Sequence, residues 1–113
     1  MISKELVGAS ARPILLSILA EGESYGYAII QRVHDLSSGQ LAWKDGTLYP
    51  VLHKLEDASL ISATWRKAET GRKRKYYSIT PQGQQALQAE KNQWLRVDSI
   101  LAQLWNLEPR LAI

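Results

Sequence analysis

The chain has 113 residues, 45% of them hydrophobic and 22% charged, a balance that belongs to one globular domain rather than a disordered or membrane-embedded chain. No cysteine is present, which excludes disulfides and thiolate metal sites, and the longest apolar runs, such as PILLSILA, fall far short of the roughly 20 residues that span a bilayer. The net charge of +3 is unevenly placed: Arg66 to Lys75 holds six cations against Glu69 alone, a local +5, so the rest of the chain sums to −2.

The N-terminus lacks a signal-peptide layout, so the expected compartment is the cytoplasm. In the first stretch, SKELVGASARPILLSILAEGES, Leu6, Ile14, Leu15, Ile18 and Leu19 recur at helical spacing and the pattern closes at Gly22. Pro13 leaves two readings open: a new helix beginning at Ser10, or one longer helix that bends. A second helix follows, with Ser24 as N-cap, Ala28, Ile29, Val33 and Leu36 inward, and Gly39 as its stop.

The third segment, DGTLYPVLHKLEDASL, carries more information. Proline fits a helix without cost only in the first turn, so Pro50 sets the start near Gly46 or Thr47, with Asp45 as a cap. Leu48, Leu52 and Leu55 then form the buried stripe. Thr47, Tyr49, Pro50, His53 and Lys54 are left on faces that can meet a ligand, beside a helix N-terminus whose free N–H groups suit phosphate.

After Leu60 the period changes to two. Ile61, Ala63 and Trp65 alternate with polar residues, KAETG supplies a turn, and RKRKYYSIT alternates again with Tyr77 and Ile79 on one side. Trp43 and Trp65 are expected in core or hinge packing. Three helices followed by a hairpin with a cationic tip give a mainly α fold with a small β-hairpin, the outline of a winged helix-turn-helix. In that outline the third helix enters the major groove and the charged hairpin meets the phosphate backbone.

The last segment begins at Pro81, a good first-turn residue, and runs to Pro109 as terminator. Leu87, Trp94 and Leu101 recur every seven residues, with Val97 and Leu104 at the interleaved position and Glu90 as an interruption. Such a seam needs a partner helix. Ile100, Trp105 and Leu107 lie off it and can pack back on the chain's own domain, so the two faces together predict a homodimer. The expected division is a winged helix-turn-helix over residues 1–80 and a C-terminal dimerisation helix over residues 81–113.

Two other classes compete. An enzyme would need a reactive constellation, but the only histidines, His34 and His53, have no cysteine, HxxxH pair or glycine-rich phosphate cradle beside them, so no catalytic residue, metal or cofactor is assigned. A winged helix serving only protein interaction or RNA binding would not need six cations on one hairpin.

The stretches GTLYPVLHKLEDASLI, GRKRKYYSITPQG and EGESYGYAII resemble the signature of PadR-like transcriptional regulators over nearly the whole chain. The single C-terminal helix, with WLRVDSI, is similar to that of a short-tailed, multidrug-binding subfamily. The resemblance implies a repressor bound to a pseudo-palindromic operator in double-stranded DNA. It places Tyr25, Thr47, Tyr49, Pro50 and Lys54 toward DNA from the helices, with His53 beside them, and Arg72, Lys73, Arg74 and Lys75 toward DNA from the wing. It also implies a dimer cavity for a planar aromatic effector, lined by Trp94, Val97 and Asp98 with Leu6 and Ala9. Arg12 and Pro13 depart from the family pattern, as does Ser59, which stands where glycine is usual.

Overall fold

In the computed structural model, which describes residues 2–107, helix α1 runs unbroken over Lys4–Glu21 and carries Pro13 in its interior. Its start is fixed by Ser3, whose hydroxyl accepts the N–H of Leu6 at 3.3 Å. Proline removes the N–H that Ala9 would receive, yet Ala11, Leu15, Leu16, Ile18 and Leu19 are buried on one side, and that burial holds the helix together. The second reading of Pro13 is therefore the right one in its continuity. Leu6, expected inward, is exposed, and its neighbours Ile2 and Val7 pack against the core instead.

Ser24 is not an N-cap. Ser24–Tyr25 form a short strand, β1, paired antiparallel with Tyr77 and Tyr76 of β3 (Lys73–Ile79), and helix α2 (Gly26–Leu36) begins directly after it with Tyr25 at the cap position. Ile29 and Val33 are buried as expected, Ala28 is half-buried, and Leu36, expected inward, is exposed.

Helix α3 spans Asp45–Asp57, beginning earlier than Pro50 alone would allow. Asp45 sits in the first turn rather than at the cap, where Lys44 makes no side-chain bond. Pro50 therefore falls in the second turn, on the exposed face, and the Gly46 carbonyl it leaves without a helical donor is on that exposed side as well. Leu48, Leu52 and Leu55 are buried as the stripe required. Strand β2 (Ile61–Lys67) pairs with β3 from Ile61 opposite Ile79 to Lys67 opposite Lys73, giving a three-stranded sheet in the order β1-β3-β2.

At the exit from α3 the Leu60 N–H donates to the Leu55 carbonyl at 2.9 Å and the Ser59 N–H to Glu56 at 3.0 Å, which puts Ser59 at φ +62°. That left-handed position favours glycine, so Ser59 carries local strain. Ser59→Gly is expected to raise stability by about 0.5–1 kcal/mol, the relief of strain outweighing the freer unfolded chain. A higher urea midpoint at unchanged slope would register it.

Helix α4 spans Pro81–Leu104 and is capped by Thr80, whose hydroxyl accepts the Gly83 N–H at 3.0 Å and donates to the Ser59 carbonyl at 2.7 Å. Leu87 is buried within the chain's own core, so it has no surface left for a second copy. Ile100, Trp105 and Leu107 are exposed and do not pack back on the domain. Pro109 lies outside the described residues, where a turn with Asn106 at φ +57° already ends the helix. The Cα radius of gyration is 15.5 Å, against about 13 Å for a compact chain of this size, and the far half of α4 lies outside the main core, which takes no residue of that helix beyond Leu87.

Candidate nucleic-acid interface

Burying Leu48, Leu52 and Leu55 turns the neighbouring positions of α3 outward, so Tyr49 and His53 stand together, ring centroids 6.5 Å apart, on the exposed side. They form one wall of a hollow of about 600 Å³, whose other walls are the first turn of α2 and the hairpin from Trp65 to Arg72–Lys75. The first turn of α2 approaches because residue 26 is glycine: a Cβ there would lie 2.6 Å from the Tyr49 hydroxyl. The α2 N-terminus has no side-chain cap, and its first residues, Gly26 and Tyr27, line the same hollow. Thr47 is half-buried, while Pro50 and Lys54 are exposed on α3 outside the hollow's lining.

The six cations of the hairpin are not equivalent. Arg66 is ion-paired with Glu23 and its guanidinium lies 4.1 Å from the centre of the Tyr76 ring. Lys75 pairs with Glu56 at 3.6 Å and approaches Tyr77. Arg74 stacks over Tyr25 at 4.4 Å, and Tyr25 meets Tyr76 edge-on at 5.6 Å, so two rings flanked by the cations of Arg66 and Arg74 brace the hairpin against β1. Among the described residues, Lys67, Arg72 and Lys73 make no ion pair. These three, with stacked Arg74, are the charges free to meet an anion. Tyr77 is buried beneath the sheet as expected, and burial pushes its phenol pKa up, with Glu56 and Tyr49 adding to the rise.

Trp65 contradicts its sequence assignment. It shares a sheet face with Ile61 and Ala63, but the strand has by then run past the core, and the indole is 64% exposed into the hollow. Trp43, by contrast, is buried.

A second candidate site surrounds Trp94, which is 38% exposed between α1 and α4. One cleft of about 400 Å³ is walled by Pro13, Ile14, Ile18 and Leu36. Arg32 closes its rim with a two-pronged pair to Glu21 at 2.7 and 3.2 Å, which holds the Glu21 carboxyl below the usual range. A smaller hollow of about 290 Å³ brings together Ala9, Glu90, Trp94 and Val97. Leu6 and Asp98, expected beside them, line neither space. Glu90 takes the polar role instead: one oxygen accepts the Trp94 indole N–H at 3.1 Å and the other meets Arg12 at 3.2 Å. The signal was the opposite charge of Arg12 and Glu90 on two helices far apart in sequence, where Glu90 by itself reads only as a break in the seam.

No cluster of three His, Asp or Glu able to hold a metal occurs among the described residues, and no described helix is long and apolar enough to cross a membrane. Residues 15–89 match the family described as transcriptional regulator PadR-like. Over 88 residues the chain is 34% identical to transcriptional regulator Rv3488 of Mycobacterium tuberculosis, covering 78% of each chain. A transcriptional regulator from Clostridium thermocellum shares the fold with TM-score 0.82 at 29% identity, over 91% of this chain and 97% of that one. A PadR-like transcriptional regulator from Bacillus cereus gives TM-score 0.81 at 27% identity, over 93% of this chain and 100% of its own.

Proposed function

The chain belongs to the PadR-like family of DNA-binding transcriptional regulators, and on that premise we propose that it acts as a homodimeric repressor of a pseudo-palindromic operator, released by a planar aromatic effector. The observation that carries the DNA contact is the hollow between α3 and the wing, where Arg72 and Lys73 stand unpaired beside Tyr49 and His53. Residues 1–80 form the reading module. Within it α3 supplies Thr47, Tyr49, Pro50, His53 and Lys54 to the major groove, Tyr25 braces Arg74, and Arg72 and Lys73 meet backbone phosphate. Lys75 contributes less than its neighbours because Glu56 already neutralises it.

Residues 81–113 join two copies. Val97, Ile100 and Leu104, with half-buried Leu101 between them, leave an apolar face exposed on the far half of α4. A second copy related by a two-fold axis covers it with the same surface and sets two reading helices one helical turn of DNA apart. The Trp94 clefts then lie near the subunit boundary, where the ring, held by its N–H on Glu90, takes a planar ligand.

The test is the salt dependence of DNA binding. Each phosphate neutralised contributes about 0.9 to the log–log slope, so Arg72→Ala with Lys73→Ala should flatten it by roughly 1 per contact in each protomer and weaken all sequences alike. Tyr49→Ala should instead lower the preference for operator over mixed-sequence DNA, since base-edge contacts carry ~1–3 kcal/mol of discrimination. An unchanged slope in the wing variant would show that these cations are only solvated.

A further inference from the structure

We infer that Trp65 is a DNA-contacting residue whose indole packs on the sugar and base surface of the duplex held between α3 and the wing. The inference rests on the DNA-binding reading of that hollow. An indole is among the largest apolar groups a chain can bury, and leaving one 64% exposed forgoes that gain unless a partner covers it. Trp65 does not lie on a neutral apolar patch that another protein would cover. It stands opposite Lys75 in the strand register, across from Tyr49 and His53, with Arg72 and Lys73 on the same hairpin.

A neutral apolar partner seated there would strip water from those cations without replacing it. Duplex DNA satisfies both needs together. Its phosphates answer Arg72 and Lys73, while deoxyribose faces and base edges between the phosphate rows offer the apolar area an indole takes, with the ring N–H free to donate to a base acceptor.

The position is also rigid. Trp65 lies within the paired part of β2, next to Arg66, which Glu23 and Tyr76 hold in place. The ring is therefore presented without ordering a loop. Because the strand alternates, the same face that packs Ile61 and half-buried Ala63 on the core delivers Trp65 to the DNA side at the tip.

The experiment uses the full chain with short mixed-sequence duplexes at low salt, read by anisotropy, beside single strands of the same sequence. Trp65→Ala should weaken duplex binding by about tenfold with the salt slope unchanged, since no charge is lost, and Trp65→Phe should retain most of the affinity. Duplex addition should quench tryptophan emission in the wild type, and the Trp65→Phe variant should lose most of that quench. Because the side chain is exposed, thermal unfolding of both variants should stay close to wild type.

Full duplex affinity in Trp65→Ala would overturn the inference while leaving the DNA-binding reading intact. Loss of single-strand binding alone would move the indole to unpaired bases and overturn it equally. A variant that binds duplex normally but sediments as a smaller species would place Trp65 in a subunit contact. Failure of the wild type to bind duplex at low salt would defeat the underlying reading as well.

Discussion

Gly83→Ala is expected to destabilise the fold by about 3 kcal/mol or more, although helix propensity alone gives the opposite sign. Gly83 lies in the first turn of α4, where exchanging glycine for alanine ordinarily gains up to ~1 kcal/mol. Here a Cβ would collide with the backbone carbonyl of Leu60 and with Cγ1 of Ile79. The isoleucine can turn aside; the carbonyl cannot. Leu60 is held from both sides, its N–H donating to Leu55 at 2.9 Å and its carbonyl accepting from the Thr80 N–H at 3.0 Å. Relief would require α4 to lift away from the α3–β2 junction, loosening the Thr80 bonds to Ser59 and Gly83 and the seat of Leu87 in the core. Thermal denaturation should show a midpoint lower by more than about 10 °C. A midpoint at or above wild type would mean that α4 does not sit so closely against residue 60.

Leu104→Glu should convert the protein to monomers at micromolar concentration and abolish operator binding with it. Leu104 is 72% exposed in the protomer, so the substitution disturbs nothing within one chain. In a two-fold dimer it is introduced twice into the same apolar contact, and each carboxylate must lose water or separate the helices. A truncation, Leu101→Ala, acts in the same direction with about 2–5 kcal/mol for each buried leucine lost. Analytical sedimentation with an unchanged far-ultraviolet helix signal separates dissociation from unfolding. A planar cationic dye provides a second readout. Its quenching of tryptophan emission should disappear in Leu104→Glu together with the dimer, and in Trp94→Ala with the dimer intact. Dimers that persist in Leu104→Glu would remove this face of α4 from the subunit contact.

Local pattern determined much of this molecule. The stripe of Leu48, Leu52 and Leu55, the alternation from Ile61 and the cations from Arg66 to Lys75 each express a period or a charge density set by residues close in sequence, and a helix and two paired strands formed there, although α3 starts at Asp45, ahead of the start that Pro50 suggested. Helix α1 passed through Pro13 because one lost hydrogen bond is small beside five buried side chains, a comparison that needs the core to be present.

What tertiary structure alone decided are matters of partnership between distant residues. The hairpin's charge count does not reveal that Glu23 takes Arg66 and Glu56 takes Lys75, leaving Arg72 and Lys73 free. Periodicity places Trp65 with Ile61 and Ala63, yet a strand carries its inward face beyond the edge of the core, and only the position of α3 shows where the core stops. Leu87 and Leu104 fit one heptad seam, but Leu87 is buried in the core of its own domain and Leu104 is left exposed. A sequence period records which side chains share a face. Which face is covered, and by what, depends on contacts between residues far apart in the chain, and no local pattern contains them.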